Sequence, residues 1–126
     1  MRSIGFGCLV AIFLMACATT SGTNTPRRSS NVITAEELAS SRAKEALEAI
    51  ELLRPQWLRV RGVASPGSAQ LLVPSVYVNN QRLPELASLR NYPANNIEEI
   101  RYMSAQDATT LYGTGNVGGA IVVKTK

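Results

Sequence analysis

The sequence predicts a small α+β fold, and three observations support this class. Residues 34–53 repeat apolar side chains at helical spacing, and residues 73–78 and 120–125 are rich in β-branched strand formers. A glycine-rich loop separates a second, shorter helix candidate from the last strand. The chain of 126 residues has room for one ordinary domain. We therefore expect one long N-terminal helix, four to five short strands, and a short helix before the C-terminal strand.

The first element is a long helix predicted from Thr34 to Leu53. Thr34 and Glu37 have the spacing of a capping box, in which the two side chains satisfy free amides at the start of a helix. Pro55 disfavours helical backbone at Arg54 and ends the helix there. The residues on its predicted apolar face are Ala39, Ala43, Ala46, Leu47, Ile50 and Leu53.

A half-buried strand is predicted just after this helix. Trp57, Arg59 and Arg61 alternate with Leu58 and Val60, so the two sets would lie on opposite faces of the strand.

Two asparagines mark a predicted hairpin. Asn79 and Asn80 tolerate left-handed backbone, which favours a tight turn between the strand of residues 73–78 and residues 81–83. Residues 84–96 have no regular pattern, and we expect at most one short helical turn there.

The C-terminal third predicts a strand, a short helix and a last strand. Residues 99–103 form the strand candidate. Ser104 and Asp107 repeat the capping-box spacing and open a helix that ends near Leu111. The apolar run within residues 120–125 predicts a strand buried on both faces.

The N-terminal segment predicts export. Residues 4–16 form an uncharged apolar run behind Arg2, which is the layout of a secretory signal. The run is shorter than the roughly 20 residues that span a hydrocarbon core of about 30 Å. A buried core helix is the alternative, but the N-terminal position and the polar residues 18–31 argue against it.

Cys17 lies at the end of this run. Leu14-Met15-Ala16-Cys17 is similar to the bacterial lipobox, in which the cysteine thiol receives a diacylglyceryl group and becomes the new N-terminus. The resemblance implies a lipoprotein modified with lipid, including palmitate, at Cys17. Met15 is larger than the residue usual there, and an ordinary signal-peptidase cut after Ala16 is the alternative.

These signals divide the chain into three parts. Residues 1–16 are the predicted signal peptide, residues 17–31 a flexible polar tether, and residues 32–126 the folded domain. Cys8 leaves with the signal and Cys17 carries lipid, so we expect no disulfide and no two-cysteine zinc or redox site. The anchor implies a cell-envelope protein, and Ala18 in place of Asp favours the outer membrane facing the periplasm, with the inner membrane left open.

The C-terminal sequence resembles a known domain family. Residues 107–126 contain Leu-Tyr-Gly, a glycine-rich turn and a strand closing with Thr-Lys, and they are similar to the C-terminal signature of TonB-dependent receptor plug domains. Residues 97–103 look like the preceding strand, and Arg61-Gly62 with residues 76–80 look like earlier parts of that domain. The resemblance implies a plug-like fold and a habit of binding another protein.

Two departures limit what the resemblance implies. Asn79-Asn80 stands where the family commonly has Asp-Gly, and the sequence ends at Lys126, where a receptor's barrel would begin. We therefore expect a stand-alone plug-like domain without a pore of its own, and transport does not carry over.

The glycine-rich loop predicts backbone geometry rather than nucleotide binding. Gly113, Gly115, Gly118 and Gly119 include the spacing of a dinucleotide fingerprint, but that chemistry needs a strand before the loop and a helix after it. Here the order is reversed. We expect these glycines to form a structural turn, with no nucleotide or other cofactor.

Candidates for catalysis and metal binding are weak. The chain contains no histidine, and Asp107, its one aspartate, is better explained as a helix cap than as an acid or nucleophile. The adjacent pairs Glu36-Glu37 and Glu98-Glu99 lack metal-ligand spacing. A net charge of +4, with acids interspersed, gives little support for nucleic-acid binding.

Trp57, Arg59 and Arg61 are the predicted interaction face, because tryptophan and arginine are enriched at interface hot spots. The competing interpretation packs Trp57 in the core, with its neighbours reaching solvent. The function expected from the sequence is a non-enzymatic interaction module that docks on an envelope protein and is accessory to outer-membrane transport. The alternative is an accessory lipoprotein that binds a small ligand or cell-wall component in the periplasm.

Overall fold

A five-stranded mixed sheet organises the computed structural model, which describes residues 29–60 and 72–126. The order across the sheet is β1-β4-β5-β2-β3, in which β2 and β5 are parallel and the other neighbours antiparallel. The α+β class is confirmed. The predicted signal peptide, Cys17 and Arg61 lie outside the described residues. The strands are β1 (Val32–Thr34), β2 (Ser75–Val78), β3 (Gln81–Leu83), β4 (Ile97–Met103) and β5 (Ala120–Thr125).

Among the residues that the structure describes, three α-helices and three short 3₁₀ helices accompany the sheet. None of the helices within residues 29–60 and 72–126 has the length and apolarity needed to cross a bilayer. The α-helices are α1 (Ala35–Ser41), α2 (Ala46–Leu53) and α3 (Ala105–Tyr112), and the 3₁₀ helices are Pro55–Leu58, Leu86–Asn91 and Ala94–Asn96.

The prediction of one long N-terminal helix is wrong, because α1 ends at Ser41 and Arg42 leaves helical backbone. Thr34 caps α1 as predicted, its Oγ1 accepting the Glu37 amide at 3.3 Å. The hydroxyls of Ser40 and Ser41 then donate to the carbonyls three residues back, at 2.8 and 2.7 Å, and Arg42 turns left-handed with φ 60°. Such hydroxyl bonds offer the backbone an alternative to the helix ladder.

The start of α2 is fixed by contacts with a segment distant in the sequence. The amide of Ala46 donates to the carbonyl of Tyr92 at 2.9 Å, and Glu45 forms an isolated bridge with Pro93. The helical spacing on both sides of the break is therefore real, but tertiary hydrogen bonds divide it into two helices.

One face of the sheet, the core face, packs against α1 and α2. A register irregularity in β4 between Ile97 and Glu99 lets both Ile97 and Ile100 lie buried, although strict alternation would separate them. From the helices, Ala46, Ala49 and Ile50 of α2 are fully buried and Leu38 of α1 is 2% exposed.

The strand predicted from Trp57 to Arg61 is wrong over its described start. Pro55 occupies the first turn of a 3₁₀ helix that runs to Leu58, since its fixed φ suits that position. Trp57 is 2% exposed, stacks on Tyr102 with ring centroids 5.8 Å apart, and donates its Nε1–H to the carbonyl of Ser30 at 3.1 Å. The predicted interaction face is therefore corrected, because this ring is core, while Arg59 is exposed.

The predicted hairpin, the second helix cap and the last strand agree with the structure. Asn79 and Asn80 have φ of 47° and 68° and join β2 to β3 in the expected hairpin. Ser104 caps α3, and residues 120–125 form β5. The edge strand β1 was not predicted, because its three residues are too few for a pattern.

The second face of the sheet is only partly covered. Helix α3 places Ala108 over Tyr77 and Ala120, with Tyr112 at the margin of this small cluster. Beyond α3 this face carries Glu99, Arg101, Val122 and Lys124, of which Arg101 and Lys124 are exposed. These four residues are called the open face below.

Candidate functional site

The glycine-rich loop after α3 is organised around one buried amide. Asn116 is 1% exposed, and its Oδ1 accepts the hydroxyl of Tyr77 at 2.9 Å. Its Nδ2 donates to the carbonyl of Gly113 at 2.9 Å. Because each of these bonds satisfies a buried polar group, Asn116 holds the loop against the sheet. Asn116 was not among the residues predicted from the sequence, although a lone amide inside a glycine-rich turn is a usable signal.

The glycines allow this loop to lie close to its neighbours. A Cβ on Gly118 would lie 2.2 Å from the carbonyl oxygen of Val73, so two backbones meet where no side chain fits. Gly119 combines φ 85° with a Cβ position 2.5 Å from the hydroxyl of Tyr102. Gly113 and Gly115 also have positive φ.

This loop lacks the geometry of a dinucleotide fingerprint. It follows the C-terminus of α3 and leads into β5, so no helix begins behind it to direct amides and a positive dipole end at a phosphate. The amide of Gly119 is already donated to the carbonyl of Asn116 at 2.9 Å.

Two stacked tyrosines connect this loop to the hairpin. The rings of Tyr77 and Tyr112 lie 3.9 Å apart, nearly parallel at 13°. The hydroxyl of Tyr112 donates to Oδ1 of Asn80 at 3.0 Å. Burial, with a smaller contribution from Tyr77, raises the pKa of the Tyr112 phenol above its ordinary value of 10.0. The stacked rings therefore pack beside Val122, at the margin of the open face.

The open face borders a shallow groove of about 330 Å³ between the hairpin turn and β5. Arg101 Nη2 lies 2.8 Å from Glu99 Oε1, and Lys124 Nζ lies 3.0 Å from Glu98 Oε2. The Arg101 and Lys124 side chains are 54% and 65% exposed, so these ion pairs are hydrated and contribute little to stability. They can exchange partners with charges on another molecule at small cost.

A buried ion pair lies at the entry of the chain into the domain. Arg54 Nη2 lies 3.0 Å from Glu37 Oε1, both residues being 8% exposed, and also donates to the carbonyl of Ser29 at 3.1 Å. The pairing was not predicted from the sequence, because it joins residues 17 positions apart. The pair ties α1, α2 and residue 29 together.

Asp107, the one aspartate of the sequence, lies in the first turn of α3. The Ser104 hydroxyl accepts the Asp107 amide at 3.2 Å and donates to its carboxylate at 2.7 Å, so Asp107 acts as part of a cap. No group of three or more His, Cys, Asp or Glu residues in those ranges could hold a metal ion. Every buried side-chain nitrogen or oxygen described there has a hydrogen-bond partner.

The sequence-predicted residues do not form one site. Gly113, Gly115, Gly118 and Gly119 share a loop, whereas Trp57 belongs to the core face and Cys17 and Arg61 lie outside the described residues. Comparison of the chain with protein-family models, curated proteins and solved structures found no match.

Proposed function

We propose that this chain is an envelope lipoprotein, anchored through Cys17, whose stand-alone plug-like domain is a non-enzymatic protein-interaction module accessory to outer-membrane transport. Two sequence features support the proposal: the lipobox-like residues 14–17 and the similarity of residues 107–126 to the plug signature. The domain holds its partner by surface contacts.

The observation that carries the proposal is the open face. Val122 is a half-buried aliphatic side chain between the exposed cations Arg101 and Lys124, with Glu99 beside them. A small apolar centre within a polar, charged rim is the usual layout of a protein interface. The rigid sheet beneath it, supported by α3, presents these side chains without an ordering cost in the backbone.

Site-directed photo-crosslinking tests this docking surface. A benzophenone amino acid at Val122, in the full-length chain in intact cells, should give a discrete adduct with an envelope protein. Arg101→Ala combined with Lys124→Ala should abolish the adduct by removing the cationic rim. The control position is Arg90, which is exposed in the Leu86–Asn91 helix away from the open face. No adduct from Val122, or equal adducts from both positions, would contradict the proposal.

The groove itself favours a second candidate function, that of a periplasmic lipoprotein binding a small ligand or a cell-wall component. Its volume of about 330 Å³ falls at the lower end of ligand pockets, and Asn80, Glu99 and Arg101 line it with polar groups. A rise in melting temperature with soluble peptidoglycan fragments, lost in Arg101→Ala, would favour this candidate over a protein partner.

A further inference from the structure

One end of the sheet holds the last three residues of the predicted tether. The carbonyls of Ser29, Ser30 and Asn31 accept hydrogen bonds there from the Arg54 side chain, the Trp57 indole and the Tyr102 amide, at 3.1, 3.1 and 2.8 Å. Because three consecutive carbonyls are held, the chain enters the domain at a fixed place. This end of the sheet is called the entry end below.

The glycine-rich loop lies at the same end. The hydroxyl of Tyr102 reaches the carbonyl of Gly118 at 3.3 Å, and Gly118 in turn packs against the backbone of Val73. Helix α2 also runs toward the entry end. Its first residue, Ala46, bonds to Tyr92 at the opposite end of the sheet, and Arg54, which follows its last residue, bonds to Ser29 at the entry end.

Exposed aliphatic side chains concentrate at the entry end. Of the five large hydrophobic residues that are exposed in the described ranges, four lie within three positions of one of these entry-end contacts. Leu111, in the last turn of α3, is the fifth. The four are Leu52 at 59%, Val60 at 46%, Val73 at 51% and Val117 at 61% exposure.

The opposite end of the sheet is polar. It carries the Asn79-Asn80 turn and the segment of Asn95 and Asn96, which receives the C-terminal Lys126 through a 3.0 Å amide bond. All five residues are exposed. Four of the five exposed large aliphatic side chains thus lie at the entry end. Leu111 is the exception, since its neighbour Tyr112 bonds to Asn80 at the opposite, mainly polar end.

We infer that the entry end rests on the lipid surface of the membrane that holds the anchor, with Val73 and Val117 in contact with lipid. The inference rests on the proposed lipid anchor at Cys17. Ser29 follows Cys17 by 12 positions, and the flexible tether that the sequence predicts would have an end-to-end distance of about 19 Å over that length. A strand such as β4, with seven residues, is itself about 23 Å long. The tether thus keeps the entry end near the bilayer.

Charge favours the same orientation. Arg27 and Arg28 immediately precede Ser29 in the sequence, and Arg59 is exposed two residues after Trp57. Cations beside exposed aliphatic side chains suit a bilayer surface with anionic headgroups. With the entry end on lipid, the open face and the polar end are left for a partner in the aqueous compartment.

Spin-label accessibility tests the orientation on the full-length, processed protein. Nitroxides are placed at Val117→Cys and Val73→Cys, with Asn95→Cys as the matched label at the polar end. On phosphatidylethanolamine–phosphatidylglycerol vesicles, the labels at positions 73 and 117 should lose collisions with an aqueous nickel chelate and gain collisions with oxygen. The label at position 95 should be equally accessible with and without vesicles.

Three results would overturn the inference, and they are distinguishable. Anchored protein whose position 117 stays as accessible to nickel as position 95 overturns the orientation alone. A defined short distance between labels on two copies shows that a second copy covers the entry end instead. Absence of lipid on Cys17 by mass spectrometry overturns the anchor, and this inference with it. Circular dichroism of each labelled variant verifies that the domain remains folded.

Discussion

Gly118 lies where two backbone segments approach too closely for a side chain. Its Cβ position falls 2.2 Å from the carbonyl oxygen of Val73, and a backbone atom cannot rotate away as a side chain can. We expect Gly118→Ala to lower the free energy of unfolding by about 1–3 kcal/mol, the usual cost of overpacking. Thr114→Ala, at an exposed position of the same loop, is the control. Equal urea midpoints for the two variants would refute this.

Tyr112 makes stability sensitive to alkaline pH. Since its folded-state pKa is raised above 10.0, the neutral phenol is favoured by the fold, so its contribution is complete below pH 10 and is lost as the pH rises through the raised value. Tyr112→Phe has no proton to lose, and its urea midpoint should fall less between neutral pH and about pH 12. Tyr92→Phe, which keeps the Tyr112 phenol, is the control. Parallel pH profiles for Tyr112→Phe and the unmodified protein would contradict this assignment.

Trp57 connects the core to the entering chain. Trp57→Ala removes a ring that is 2% exposed and should cost about 3–5 kcal/mol. Arg59→Ala, at the exposed neighbour, should change the midpoint little. Urea denaturation followed by far-UV circular dichroism compares them, and near-wild-type stability for Trp57→Ala would restore the surface interpretation of this ring.

At the scale of elements, the break between α1 and α2 contains a removable strain. Arg42 adopts φ 60° without being glycine, at the position after a helix where glycine is usual. We expect Arg42→Gly to raise the free energy of unfolding by up to about 1 kcal/mol. Arg42→Ala keeps the strain and removes the same side chain. A gain shared by both variants would mean that the side chain, not the backbone, is responsible.

The two faces of the central strands β4 and β5 have different roles, one in stability and the other in the proposed contact with a partner. Central strands β4 and β5 contribute the core side chains Ile100, Tyr102, Ile121 and Val123, while their opposite sides supply the open face. Because side chains alternate along a strand, one pair of strands both fills the core and presents the surface proposed for docking. A change on the open face should therefore alter binding with little loss of folding.

At the scale of the whole molecule, the proposed lipid anchor would determine where these surfaces act. If Cys17 is acylated, metabolic labelling with radioactive palmitate should label the wild-type protein and not the Cys17→Ala variant. Cys8→Ala should keep the label, since residue 8 lies within the predicted signal peptide. Label retained by Cys17→Ala would contradict the assignment. Without the anchor, the domain would also lack the raised local concentration near membrane partners that a tether provides.

Local signals in the sequence determined the elements that form through neighbouring residues. The Thr34 and Ser104 caps bond to amides three positions on, and the Asn79-Asn80 turn needs only two residues that tolerate positive φ. The aliphatic runs determined the α+β class in the same way, since burial of β-branched residues on a sheet follows from their own chemistry.

Only the tertiary structure decided which polar and aromatic groups meet across the chain. Trp57 bonds to Ser30, 27 positions away, and Asn116 accepts from Tyr77, 39 positions away. The division of the expected long helix also depends on a bond from Ala46 to Tyr92. A local sequence pattern cannot identify such partners, because long-range contacts are selected by the shape of the assembled core. These contacts bury Trp57 and leave Val117 exposed.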